Sequence, residues 1–198
     1  MQGYYRFPTI HNHQVVFVSE DDLWSITSNN LRAVRLTTNI SQISSPLLSP
    51  DGKWIAYVGR EDGNTEVYLM PSTGGSSKRL TFDGSFINKI SAWKNNKEIV
   101  YASDFKQPFS RISDLRIVNI NGGESKPLNY GIASNIAYSN NFTVLGRNTQ
   151  DPARWKRYKG GTAGELWIDI KNDFNFKKLI NVKGNMACPM IIENKIYF

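Results

Sequence analysis

A three-part unit recurs along the chain every 40–50 residues or so, and this repetition limits the folds that the chain can adopt. Each unit contains an apolar triplet, then a short segment that begins with Asp or Glu, and then a short segment that carries a leucine. The triplets begin at Val15, Ile55, Ile99, Val144 and Ile196, and the acidic residues are Asp22, Glu66, Asp114 and Glu165. Such a period, with several strands in each unit, is typical of the blades of a β-propeller.

The second unit, residues 43–84, shows the parts of a blade most clearly. Its segments WIAYVG and EVYLM are rich in β-branched and aromatic residues, which favours strands. Pro, Asp, Asn and Gly at residues 50–53, 62–64 and 73–75 predict tight turns between the strands. The unit therefore reads as four short strands joined by hairpins, and no stretch of helical periodicity competes with this interpretation.

The sequence predicts an all-β fold: a β-propeller of four-stranded antiparallel blades that is incomplete, with about four blades and the start of a fifth. Residues 1–198 form one partial propeller, whose blades span approximately residues 7–40, 43–84, 87–130, 132–183 and 185–198. A β-sandwich also has regularly spaced strands, but it does not require the same unit to recur in order. We expect the remaining blades to come from a longer chain, which the sequence favours, or from a second chain.

Composition and charge argue against several classes of partner. The net charge is +7, but no nucleic-acid-binding motif accompanies it, so nucleic acid is not predicted as a partner. No apolar run approaches the roughly 20 residues that cross a bilayer, and the first residues lack a signal-peptide pattern, so no membrane association is predicted. The single cysteine, Cys188, is predicted to be a buried thiol, and a reducing cytoplasm is the simplest compartment.

The sequence predicts no catalytic residue, no metal site and no cofactor. His11 and His13 have no Cys, Asp or Glu at a spacing that suits metal ligands. The motifs of serine hydrolases, P-loop proteins and zinc peptidases do not occur. The acidic residue that begins the third strand of each unit recurs too regularly for a catalytic group, and we expect it to build the blade.

A basic and aromatic stretch interrupts the fourth unit. The cations are Arg154, Lys156, Arg157 and Lys159, and they alternate with Trp155 and Tyr158 ahead of Gly160 and Gly161. One interpretation is that the cations attract the C-terminal carboxylate of a peptide, since guanidinium forks fit carboxylates. The other is that the aromatic residues and glycines fix the shape of a long loop or form a contact between modules. We favour the second interpretation, because aromatic residues and glycines in a long loop most often fix the shape of the loop itself.

Several segments resemble the N-terminal propeller of the tricorn core protease family. GRNTQDPARWKRYKGGTAGELWI is similar to the GRNT–WK–Y–GGT–G–W pattern of that family, and HNHQVVFVSEDDLWSI and SDFKQPFSRISDLRIVNING agree in the same order. The resemblance covers essentially the whole chain. It implies a six-bladed first propeller, followed by a second propeller and catalytic modules of a serine peptidase that degrades oligopeptides downstream of the proteasome.

The resemblance implies a non-catalytic role for this segment. It would form part of a peptide passage or a docking surface, with the later propeller, the catalytic modules, oligopeptides and aminopeptidases as partners, in a parent protein that forms homo-oligomers. The family carries two adjacent arginines in the loop that enters the third blade, whereas the matching FDGSFINKISAW has only Lys89. Lys89 is therefore a weaker candidate for contact with a peptide. The alternative is a stand-alone propeller-like interaction module without peptidase activity.

Overall fold

The computed structural model describes residues 3–38, 41–110, 112–149, 163–180 and 184–198. The secondary structure assigned in these ranges consists of strands, and the described residues contain no helix that could cross a membrane. Val, Ile, Tyr and Trp dominate the second and third strands of the sheets, because β-branched and aromatic side chains suit a pleated, packed surface.

Eighteen strands are assigned in the described ranges. The first eight are β1 Arg6–His11, β2 Gln14–Ser19, β3 Asp22–Thr27, β4 Asn30–Arg35, β5 Ser44–Leu48, β6 Trp54–Gly59, β7 Glu66–Pro71 and β8 Lys78–Arg79. The next eight are β9 Asn88–Asn95, β10 Glu98–Ser103, β11 Asp114–Asn119, β12 Lys126–Ile132, β13 Asn135–Tyr138, β14 Thr143–Arg147, β15 Glu165–Asp169 and β16 Lys177–Lys178. The last two are β17 Met190–Ile192 and β18 Lys195–Tyr197.

The strands form four four-stranded sheets and one two-stranded sheet. The sheets are β1–β4, β5–β8, β9–β12, β13–β16 and β17–β18, and within each one the strands pair in chain order and antiparallel. We call them blades 1 to 5. The predicted incomplete propeller, with four blades and the start of a fifth, is confirmed.

The first strand of each blade is the innermost one. β1 contacts β5, β5 contacts β9, β9 contacts β13, and β13 contacts β17. The fourth strands lie outermost, since every residue of β4 is exposed. The first strands therefore surround the axis of the propeller.

Successive blades pack face to face through apolar side chains. We call the face of a blade that meets the preceding blade its rear face, and the opposite one its front face. Blades 1 and 2 meet through front-face residues Val16, Val18 and Leu23 and rear-face residues Leu48, Ile55, Tyr57, Tyr68 and Met70. The front face of blade 2, which includes Ala56, Val58, Val67 and Leu69, packs in the same way on residues of blade 3 that include Trp93, Ile99 and Tyr101.

The acidic residue of each repeat has a structural explanation in blade 2. The buried carboxylate of Glu66 accepts hydrogen bonds from Arg79 Nη2 at 3.0 Å and from Thr81 Oγ1 at 2.5 Å. Thr81 Oγ1 in turn accepts a bond from the backbone N–H of Val67 at 2.9 Å. We call this set of contacts the carboxylate clamp. It ties the fourth strand, and the exit of the blade (the residues that directly follow that strand), to the start of the third strand.

Blade 1 repeats the clamp. Arg35 and Thr37 both bind the buried carboxylate of Asp22, with Thr37 Oγ1 at 2.6 Å from Asp22 Oδ1. The backbone N–H of Leu23 donates to Thr37 Oγ1 at 2.9 Å. The expectation that the recurring carboxylate builds the blade agrees with these contacts.

The clamp is reduced in blades 3 and 4. Lys178 binds Glu165 at 2.7 Å, and this hydrogen bond lowers the pKa of the Glu165 carboxyl. In blade 3, the equivalent fourth-strand position is Pro127, and the ion-pair partner of Asp114 among the described residues is Arg116 of its own strand, with Nη1 at 3.8 Å. Burial raises the pKa of the Asp114 carboxyl, as expected for a carboxylate that has lost strong partners.

The register of blade 4 corrects the sequence alignment by one residue. Leu145 pairs with Trp167, as Tyr57 pairs with Tyr68 in blade 2. The triplet of blade 4 therefore begins at Thr143 and not at Val144. The first residue of this triplet is a polar Thr, so a pattern made of apolar residues does not include it.

The prediction that Cys188 is a buried thiol is wrong, because Cys188 is exposed. Its φ is 50°, and it precedes a proline. The same arrangement occurs at the start of two other first strands, where Phe7 and Ser45 each have φ 51° ahead of a proline. Both lie at bulges of β1 and β5. A left-handed residue at such a position turns its side chain away from the regular face of the sheet.

We expect Thr81→Val to lower the free energy of unfolding by about 1–3 kcal/mol, because it leaves the buried Val67 N–H without its partner and removes one of the hydrogen bonds to the buried Glu66 carboxylate. Urea denaturation of the chain measures this loss. Thr73→Val, at an exposed turn position, is the matched control. Equal stability of the two variants would contradict a role of the clamp in holding the blade.

Candidate functional site at one rim of the propeller

One rim of the propeller carries a cleft that combines cations with apolar side chains. Strands in each blade are antiparallel, so the start of the first strand lies at the same rim as the connection between the second and third strands. We call this the entry rim, and it includes Arg6, Ser44, Asn88 and Asn135 at the starts of β1, β5, β9 and β13. The opposite rim carries the tight hairpins, such as residues 50–53.

A cleft of ≈ 230 Å³ opens at the entry rim among blades 1, 2 and 3. It is lined by Arg6, Phe7, Gln42, Ile43, Ser44, Val58, Arg60, Thr65, Phe86, Ile87 and Asn88. Two guanidinium groups lie among apolar side chains, and none of these lining residues carries a carboxylate. The cleft therefore combines positive charge with apolar surface.

The two arginines of the cleft differ in how firmly they are held. Arg6 Nη2 binds Asp21 Oδ1 at 2.7 Å, and its guanidinium lies over the Phe7 ring at 5.9 Å. Arg60 Nη2 donates to the backbone carbonyl of Phe86 at 3.3 Å. Arg60 is exposed and forms no ion pair with another described residue, so its charge is the more available of the two.

The predicted residue Lys89 lies at the entry rim but does not line this cleft. It is the second residue of β9, pairs with Ala102 and is half-buried. Its neighbour Asn88 lines the cleft and donates from Nδ2 to the Thr65 carbonyl at 2.6 Å. The structure thus places Lys89 at the entry rim on the face of β9 that packs toward blade 4, because its partner Ala102 belongs to the apolar cluster between blades 3 and 4.

The predicted basic stretch lies outside the described residues. This applies to its cations Arg154, Lys156, Arg157 and Lys159 and to its loop residues Trp155, Tyr158, Gly160 and Gly161. The structure describes the residues on either side of it in the chain. Arg147 and Glu165, the last and first residues of β14 and β15, pair at the entry rim.

Arg147 and Gly164, which flank that stretch in the chain, are both fixed by contacts with other parts of the propeller. Arg147 donates to the Tyr130 carbonyl at 3.0 Å and lies over the Trp167 ring at 5.1 Å. Gly164 leaves room for the chain that leads to blade 5, because a Cβ there would lie 2.1 Å from the carbonyl oxygen of Met186. The last glycine of the GGTAG segment therefore has a packing role.

The chemistry of the rim suits binding. Guanidinium, ammonium, amide and aromatic groups are present, and these recognise anionic and apolar parts of a ligand. No group of three or more His, Cys, Asp or Glu that could hold a metal ion occurs in the described ranges. Sequence reasoning missed Arg6 and Arg60, because they lie in different blades and only the fold brings them together.

Comparisons with known proteins agree with the fold and the motifs. Residues 2–198 match the model of the tricorn protease N-terminal β-propeller domain. A tricorn protease homolog of Saccharolobus solfataricus is 32% identical over 100% of this chain and 19% of its own length. The crystal structure of the tricorn protease superposes with a TM-score of 0.90 at 28% identity, over 100% of this chain and 20% of that one.

One relative has a different length. A protein of Sulfurisphaera tokodaii, named as a putative tricorn-like protease N-terminal subunit, is 37% identical over 85% of this chain and 87% of its own length. The chain thus spans about a fifth of the S. solfataricus relative (19%) but most of the S. tokodaii one. The matched domain model, the order of the blades and the relatives together show that this chain belongs to the family of tricorn protease N-terminal β-propeller domains.

Proposed function

We propose that this chain is the non-catalytic N-terminal propeller segment of a tricorn-type serine peptidase that degrades oligopeptides downstream of the proteasome. The segment forms part of a passage for peptides or of a docking surface. The observation that carries the proposal is the arrangement of successive first strands around one axis, with cations and apolar side chains gathered at the entry rim.

Peptides are the ligands that suit this rim. A peptide with a free C-terminus offers a carboxylate to guanidinium and ammonium groups and apolar side chains to Phe86 and Ile87, which are 69% and 45% exposed. Arg60 and Lys89 supply charge among the described residues, and Arg154, Lys156, Arg157 and Lys159 add to it in the proposal. A confined passage strengthens such attraction, because its walls have a low dielectric constant.

The proposal includes the partners and the compartment. The later propeller and the catalytic modules supply the hydrolytic chemistry, aminopeptidases receive the products, and the parent protein is a homo-oligomer in the cytoplasm. The single cysteine of the chain agrees with a reducing compartment.

A second candidate function is favoured by one specific relative. The S. tokodaii protein of similar length is named as a subunit. A chain of this kind acts as a separate interaction module, which joins the remaining blades and the catalytic part on another polypeptide. The two candidates share the propeller and differ in whether the peptidase is one chain or two.

We expect the purified 198-residue chain to hydrolyse no short peptide, because in this proposal the nucleophile lies in the later modules. Release of the fluorophore from a set of amidomethylcoumarin peptides measures this, with buffer alone as the reference. Turnover that persists after repurification and is inhibited by a serine-directed reagent would overturn the non-catalytic role.

We also expect this chain to bind a fluorescein-labelled octapeptide with a free C-terminus about tenfold more tightly than its amidated form, since the passage attracts negative charge. Lys89→Gln reduces this preference, and fluorescence anisotropy measures it. Lys97→Gln, in the β9–β10 hairpin at the opposite rim, is the matched control. If both variants retained the same preference as the unmodified chain, Lys89 would have no part in it.

A further inference from the structure

The segment that leads into blade 3 forms one wall of the cleft at the entry rim. We call residues 83–87 of this segment the cleft loop. Its residues Phe86 and Ile87 line the cleft and are 69% and 45% exposed. Phe7 of blade 1 also lines the cleft and is 43% exposed. The cleft therefore offers large apolar side chains that the chain itself leaves uncovered, as binding grooves do.

Two buried carboxylates hold the backbone of the cleft loop. Glu66 accepts hydrogen bonds from the backbone N–H groups of residues 83 and 84, at 3.2 and 2.8 Å. Asp104, which directly follows β10 and is buried, accepts from the N–H groups of Phe86 and Ile87, both at 3.1 Å. Hydrogen bonds to an ionised acceptor are stronger than those between neutral groups. The backbone of the loop is therefore fixed, although its apolar side chains are exposed.

Arg60 and Asp104 occupy equivalent positions in blades 2 and 3. Each directly follows the last residue of a second strand, Gly59 in β6 and Ser103 in β10, and these two residues pair with the recurring acid of their blades. Both contact the same residue of the cleft loop. Arg60 Nη2 donates to the Phe86 carbonyl at 3.3 Å, and Asp104 accepts from the Phe86 N–H. Arg60 lines the cleft whereas Asp104 does not, so the repeat supplies a cation inside the cleft and an anion behind its wall.

From these contacts we infer that Asp104 is the positioning residue of the cleft loop, and that the loop selects peptides whose last residue has an apolar side chain. This inference rests on the proposed function, in which the rim binds peptides with a free C-terminus. Arg60 receives the carboxylate, and Phe86 and Ile87 cover the side chain of the same residue. The cleft, at ≈ 230 Å³, is smaller than the roughly 300–1,000 Å³ of pockets that enclose a whole small molecule, so it suits a single side chain.

Asp104 acts on the ligand through the backbone of the loop. Without its carboxylate, the N–H groups of Phe86 and Ile87 lose their acceptor, and the two side chains no longer keep one orientation toward the cleft. Glu66 still holds the start of the loop, because its bonds go to residues 83 and 84. The expected loss is therefore one of selectivity between last residues, while the fold and the attraction of the carboxylate to Arg60 remain.

The test compares two fluorescein-labelled octapeptides that have a free C-terminus and differ only in the last residue, leucine or alanine. We expect the unmodified chain to bind the leucine peptide about tenfold more tightly by fluorescence anisotropy, because its additional methylene and methyl groups enter an apolar site. Asp104→Ala reduces this ratio to about twofold or less. Asp104→Asn retains it, because the amide oxygen still accepts the two hydrogen bonds. Changes of charge cancel in the ratio, since both peptides carry the same carboxylate.

Asp51→Ala is the matched control. Asp51 also accepts a hydrogen bond from a backbone N–H, that of Lys53 at 3.2 Å, but it lies in a hairpin at the opposite rim. We expect this variant to keep the tenfold ratio. Hydrogen exchange provides a measurement without a ligand: Asp104→Ala speeds the exchange of the Phe86 and Ile87 amides, while the amides of β10 keep their protection.

Phe86→Ala tests the loop directly and leaves the core intact, because Phe86 is exposed. We expect it to lower the ratio as Asp104→Ala does. Equal binding of the leucine and alanine peptides, together with a retained preference for a free over an amidated C-terminus, would overturn the inference and leave the proposed function standing. An unchanged ratio or unchanged amide exchange in Asp104→Ala would remove the positioning role. Binding of neither peptide by the unmodified chain would overturn the inference together with the proposed peptide passage.

Discussion

The packing of one blade's rear face onto the front face of the preceding blade is the interaction on which the rest of the structure depends. Each blade is a thin sheet that buries little surface by itself, and its apolar residues on both faces need neighbours. Leu48 of blade 2 and Trp93 of blade 3 occupy equivalent positions on the first strands, and each packs on the preceding blade. The two interfaces therefore use the same pattern of apolar residues. The axis and the two rims both follow from the repetition of this one contact.

The carboxylate clamp explains why the blades need not be identical. Where Arg and Thr both bind the carboxylate, as in blades 1 and 2, the exit of the blade is fixed tightly. Blade 4 retains only Lys178, and this is the blade that carries the basic stretch between its second and third strands.

The sequence predicted the fold more completely than the site, for a physical reason. Alternating apolar residues and turn residues act locally, so the strands of WIAYVG and EVYLM were found at nearly their observed limits. The start of the blade 4 triplet was missed because Thr143 is polar, and exposed Cys188 was missed because a left-handed backbone turns it outward. Arg6 and Arg60 line one cleft only after two blades have packed, and no local sequence pattern predicts that residues of different blades will lie close together.

Closure of the ring and the proposed passage of a peptide are linked by geometry. The first strands enclose an axis only if the ring is continuous, because a gap beside β1 would let a peptide leave sideways and would let water screen the cations of the entry rim. Arg6 belongs to β1 and also lines the cleft, so blade 1 contributes directly to the candidate site.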